Sequence, residues 1–188
     1  LSFRFDELNR NISEEHIIKK MVDEHKSILE ILSELVKLNN ENKHIFELKD
    51  LKKEIVSNNI NKMYELLNEL IKLDKIHHLK EDIIFQILEE KGIFGMPYVM
   101  KLEHKEIHDY LEEIESILNI LKMDAKEFIS RKERLNLLVK FLLIRFEDNI
   151  ARENTNIYPL VNKFDDKILS EVEKKFNYIG YYQKKVVI

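Results

Sequence analysis

The sequence predicts an all-α chain, folded as an antiparallel up-down four-helix bundle, and three observations carry that reading. Only 3 glycines and 2 prolines punctuate 188 residues. Leucine, isoleucine, lysine and glutamate fill the intervening stretches at helical spacing. The few breaks leave four long amphipathic stretches joined by short connections, as a bundle requires. An extra short helix is expected between the first and second long helices, and another near the C-terminal end. Residues 1–188 read as a single domain, with the bundle core at about 13–164.

The first helix has a start signal at Ser13, a capping hydroxyl followed by Glu14 and Glu15 against the N-terminal dipole. Ile17, Ile18, Met21, Ile28, Leu29, Leu32, Leu35 and Val36 mark its apolar face to about residue 38. "NNENK" at 39–43 reads as a break, residues 44–57 as the extra short helix, and "SNNIN" at 57–61 as a second break. The second long helix is expected over about 61–90, through Met63, Leu66, Leu67, Leu70, Leu73 and Leu88. "EKGIFGMP" at 90–97 is the clearest punctuation: Gly92 suits the position after a helix end, and Pro97 the first turn of the next helix. That third helix ends near Met123. Asp124 is the expected N-cap of a fourth, from about 125 to 163, with Pro159 able to kink it. "DDKILSEVEKKF" at 165–176 supplies the terminal helix.

Composition narrows the chemistry. There is no cysteine, which excludes disulfides, thiolate catalysis and cysteine-type zinc sites. Net charge is −4, with basic and acidic residues interspersed and no basic stripe, so no nucleic-acid partner is expected. Three glycines do not build a Gly-rich phosphate loop. The apolar run "LLVKFLLI" is short and already holds Lys140, so no membrane partner is expected, and the cytoplasm is the expected compartment.

Imidazoles and carboxylates recur on all four long helices. In "LEHKEIHDYL" His104 and His108 are four apart, about one turn, and leave the same face. Alone, the pair reads equally well as two polar residues sharing a face. In "KIHHLKEDIIFQIL" His77 and Glu81 repeat the spacing; His78 points to the neighbouring face and is the alternative to His77. His25 lies among Met21, Val22, Ile28 and Leu32, where a lone histidine is more often a satisfied core residue. Glu153 in "EDNIARENTNIYPL" would ordinarily be solvated surface. Tyr158 and Tyr110 are candidates for support of a site, or plain core aromatics. Jointly, these groups are how bundle-core metal sites are built, and a metal resolves the cost of burying them.

Taken in order, the words "EHKSIL", "HHLKEDIIF", "LEHKEIHDYL" and "ENTNIYPL" resemble the haemerythrin-like, HHE-type cation-binding domains over about residues 15–180. That family strings a His in the first helix, His-x-x-x-Glu in the second, His-x-x-x-His in the third and His-x-x-x-acid in the fourth. "GIFGMPYVM" and the tail after Asp165 look like a prokaryotic subgroup often joined to sensory PAS domains. The resemblance implies two non-haem irons, oxo- and carboxylate-bridged, although another divalent metal would suit the same donors. His104 and His108 would hold one iron and His25 and His77 the other, with Glu81 and Glu153 bridging. One position departs: Asn149 stands four before Glu153, where oxygen-carrying members have His. Asn149 itself and His78 are the alternative ligands. The departure weakens an oxygen-carrier reading and leaves three: a protein sensing or handling O2, NO, peroxide or iron, with O2 or NO as the diatomic partner; a diiron oxidase, peroxidase or iron-centre repair protein; and a structural bundle with a degenerate site.

Overall fold

The computed structural model describes residues 16–47, 53–124 and 127–182, and everything in regular structure among them is helical. Four long helices come first: α1 Ile17–Glu47, α2 Lys53–Glu90, α3 Gly95–Met123 and α4 Phe128–Arg152. A π-helical turn, Glu153–Ile157, links α4 to the short α5, Tyr158–Val161, and α6 Asp166–Ile179 follows. The Ser13 start signal lies outside the described residues. So do residues 125 and 126, which follow the expected cap Asp124; α4 begins at Phe128.

The expected extra short helix at 44–57 is corrected. α1 runs through "NNENK" to Glu47, and α2 begins at Lys53 and runs through "SNNIN". Three of the six asparagines in those two words, Asn39, Asn42 and Asn59, are buried and hydrogen-bonded. Asn59 Nδ2 donates to Asn42 Oδ1 at 3.0 Å, and Asn39 Nδ2 donates to Asn136 Oδ1 at 3.2 Å. Asparagine disfavours helix because its amide competes for local backbone groups; partners on other helices remove that competition.

The punctuation at 90–97 behaves as expected. Gly92 sits at φ +83, its N–H donating to Glu89 O at 2.9 Å, while Ile93 N–H donates to Leu88 O at 2.9 Å. These two bonds close the end of α2 as a Schellman motif. At the other terminus Asp165 caps α6, accepting from Ile168 N–H at 2.9 Å.

The chain divides into two compact units. One gathers the described residues up to Ile28, Leu73–His104 and the chain from Glu147; the other gathers Leu29–Lys72 and Lys105–Phe146. The second unit is filled by side chains such as Leu32, Leu35, Met63, Leu67, Leu111, Leu138 and Leu142. The first has a core of Ile18, Met21, Ile84, Phe85, Leu88, Met100, Ile157, Tyr158, Val172 and Phe176. Burying each such side chain stabilises the fold by about 1.5–3 kcal/mol.

Every long helix carries its buried positions as a stripe of alternating threes and fours. On α2 the stripe is Val56, Ile60, Met63, Leu67, Leu70, Asp74, His77, Glu81, Ile84 and Leu88. Polar residues therefore occupy core positions, flanked by apolar ones on both sides. His25 does the same on α1, His104 on α3, and Asn149 near the end of α4 with Glu153 in the π-helical turn after it. All of these lie in the first unit.

Candidate metal centre

Two adjoining groups of donors form in that unit. In the first, His25 Nε2 lies 2.6 Å from Glu153 Oε2 and 3.0 Å from His77 Nε2, and His77 Nε2 lies 3.2 Å from the same Glu153 oxygen. All three side chains are fully buried or nearly so. Two Nε2 atoms and one carboxylate oxygen thus aim at one point. Neighbouring donors around an ion at about 2.1 Å stand roughly 3.0–3.4 Å apart; the two separations from His77 Nε2 match that spacing, and the His25–Glu153 pair is drawn closer, to a hydrogen-bond distance.

The second group is His78, Glu81 and His104, whose ligand atoms lie within 4.8 Å of one another. Glu81 Oε2 is 3.1 Å from His104 Nε2 and 4.0 Å from His78 Nε2, and the two rings stack with centroids 3.7 Å apart. The same oxygen is 4.0 Å from His77 Nε2, which joins the two groups.

Two buried carboxylate oxygens that border these groups, Glu81 Oε1 and Glu153 Oε1, have no hydrogen-bond partner among the described residues. Leaving such groups dry and unpaired costs about 1–3 kcal/mol each. Cation binding answers that cost, so the residues present fit a metal.

The sequence around Glu153 explains how α4 delivers its carboxylate. Tyr158 N–H donates to Glu153 O across the π-helical turn. Pro159 has no N–H, which frees the ladder to change register there. In an α-helix residues five apart diverge by about 140°. The wider turn brings Tyr158 beside Glu153, and its hydroxyl donates to Glu153 Oε2 at 2.8 Å.

Charged neighbours set the protonation pattern. Burial raises the Glu153 carboxyl, but His25 and His77 outweigh it and hold the group well below its usual range. Burial and the charge of Glu153 push Glu81 up to about 7. Burial likewise lifts Asp74 to about 7. Burial lowers the His25 imidazole in spite of Glu153. His77 goes the other way: burial opposes its proton, yet hydrogen bonds to Glu153 and Glu24 raise it well above the ordinary value.

Behind His77 lies a support that the sequence reading did not single out. Glu24 Oε2 accepts from His77 Nδ1 at 3.0 Å, on the side of the ring away from Glu153. The other Glu24 oxygen pairs with Lys80, a buried lysine, and accepts from Tyr182 N–H at 3.3 Å. Lys80 also packs over the Tyr181 ring, 4.1 Å from its centroid. The signal for Glu24, Asp74 and Lys80 was their place on or beside a buried stripe.

The structure brings His25, His77, Glu81, His104 and Glu153 together and adds His78. It does not bring His108 to them. The His108 side chain is 63% exposed and lies 3.6 Å from Glu112, in an exposed group with Asp109. The reason is the stripe on α3, which runs Met100, His104, Ile107, Leu111 and Ile114. After His104 it steps by three, so the residue four along lies outside it. Asn149 is buried, and its Nδ2 has no partner among the described residues. Tyr110 stacks on Phe141, centroids 6.2 Å apart.

The fold and site define a class: a helical protein whose buried histidines and carboxylates form groups able to hold cations. The family model described as Hemerythrin HHE cation binding domain matches residues 16–161, and the chain belongs to this family. A comparison with curated proteins finds no match. Membership implies cation binding, typically of iron. No helix among the described residues is long and apolar enough to cross a membrane.

Proposed function

We propose that this is a non-haem iron protein of haemerythrin type, an antiparallel four-helix bundle holding two irons and sensing or handling O2, NO, peroxide or iron level in the cytoplasm. The observation that supports it is the pair of adjoining buried groups, His25–His77–Glu153 and His78–Glu81–His104, with an unpartnered carboxylate oxygen in each. Imidazole with carboxylate suits iron. When bound, iron supplies a change of redox state and a coordination position for a diatomic ligand.

The chain's own residues prepare the site. Glu81 and Glu153 offset cationic charge. Glu24 orients His77, and Tyr158 steadies Glu153. The apolar core around Ile84, Phe85 and Ile157 keeps water from the first group. The second group has the open edge, with the His78 side chain 20% exposed against 3% for His77, so a small ligand reaches the site there. Glu24 connects His77 to the Tyr182 backbone, which gives a change at the site a route to the tail.

Metal analysis of protein purified without added metal, with optical spectra before and after exposure to air, tests the reading. Close to two irons per chain and a visible band that responds to air are expected. Metal-free protein whose thermal midpoint ignores added iron overturns it. The open edge at His78 also suits turnover by an oxidase or peroxidase. Consumption of peroxide or NO by iron-loaded protein, lost in Glu81→Ala, would distinguish that reading from sensing.

A further inference from the structure

Resting on the two-iron reading, we infer that the second ion is held by Asp74 and His78 of α2 together with Glu81 and His104, and that Asp74 supplies the donor that histidine would bring at position 149. Asp74 occupies the buried stripe of α2, three residues before His77 and seven before Glu81, so it faces the same way as both. It is 5% exposed, and among the described residues its Oδ1 makes no hydrogen bond. That oxygen lies 3.3 Å from His78 Nε2.

Which ring nitrogen it faces decides its role. A carboxylate that orients a ligand histidine sits behind the ring, on the nitrogen the metal does not use. Glu24 does this to His77, holding Nδ1 while Nε2 points at Glu153 and His25. Asp74 faces His78 Nε2, the same nitrogen that looks towards Glu81 Oε2 at 4.0 Å. It therefore stands on the donor side of the His78 ring. The stacking of His78 on His104 sets the two imidazoles side by side at that point.

The assignment settles the donor count. The third helix contributes His104 alone, because His108 is turned outwards. The fourth contributes Glu153, and at 149 a carboxamide, a weaker donor than imidazole or carboxylate. Asp74 and His78 give α2 four donors, with His77 and Glu81. The first ion then has His25, His77 and Glu153, and the second His78, His104, Asp74 and Glu81.

The test is iron content and chelator resistance of reconstituted full-length variants, with Mössbauer spectra to count iron environments. Asp74→Asn keeps the shape and removes the anionic donor; it is expected to fall from near two irons per chain to near one, with the remaining iron giving one Mössbauer environment. His78→Gln should do the same, and His108→Ala should retain both irons. Asp74→His, which offers a neutral donor at the same place, should restore the second iron. A purely structural Asp74 predicts a different pattern: a lower thermal midpoint of metal-free Asp74→Asn with iron content unchanged. Metal-free Asp74→Asn is expected to melt no lower than the parent, since it no longer buries an acid. Two tightly held irons in Asp74→Asn, or loss of one in His108→Ala, overturns the inference while leaving the two-iron reading intact. Parent protein that takes up no iron overturns both.

Discussion

Replacing Glu24 isolates how much the support behind His77 contributes. Glu24→Gln keeps a carbonyl oxygen for His77 Nδ1 but removes the counter-charge of Lys80, whose side chain is fully buried. Breaking one partner of a buried pair costs about 3–5 kcal/mol, because the remaining charge is left dry. In a chain of this length each kcal/mol lowers the melting midpoint by roughly 2–4 °C, so the metal-free single variant should melt on the order of 10 °C lower. The double variant Glu24→Gln/Lys80→Met removes both charges and should recover most of that loss. It still lacks the charge-assisted bond to His77. A hydrogen bond to a charged group contributes about 1.5–3 kcal/mol and a neutral one about 0.5–1.5, leaving roughly 1.5 kcal/mol and about tenfold weaker metal binding. Urea unfolding of the metal-free proteins reads the first effect, and competition with a chelator reads the second. A double variant that binds metal as tightly as the parent would refute the orienting role. A single variant that loses under about 1 kcal/mol would refute the buried pair, because the cost of a stranded buried charge would be absent.

Further outcomes follow from other contacts. In the metal-free protein Glu81 and Asp74 keep their protons up to about 7, above their unfolded values, so the stability they contribute is complete below about 4 and is lost as pH rises through 7. Metal replaces those protons, so the rise in melting midpoint on adding iron should be larger at pH 8 than at pH 5; equal rises would contradict the linkage. Tyr158→Phe deletes the hydroxyl that donates to Glu153 at 2.8 Å and should cost about 1.5–3 kcal/mol in urea unfolding, with no change in helix content by circular dichroism. An unchanged midpoint would show that the bond carries nothing. Gly92→Ala should cost about 1–2 kcal/mol through its left-handed backbone alone, because no atom lies within 4 Å of the added methyl. A loss well beyond that would mean a packing role that the structure does not contain.

The helical class, the stop at Gly92, the cap at Asp165 and the placement of His25, His77, Glu81, His104 and Glu153 on their helices were all legible in the sequence. They depend on periodicity and on chemistry between near neighbours, which a linear chain displays directly. Three things were not. The asparagines at 39, 42 and 59 look like breaks until their partners on other helices are known, since a local preference yields to a tertiary hydrogen bond. The π-helical turn depends on what Glu153 and Tyr158 meet once packed. The choice between neighbouring histidines belongs to tertiary structure as well. His104 and His108 are equivalent by spacing, yet only the stripe that the rest of α3 buries decides which faces inward. His77 and His78 looked like alternatives, and each falls in a different one of the two donor groups. Sequence periodicity determined which turns of the helices carry imidazoles and carboxylates; packing decided which of them stand together, because adjacency between helices is written in no single one of them.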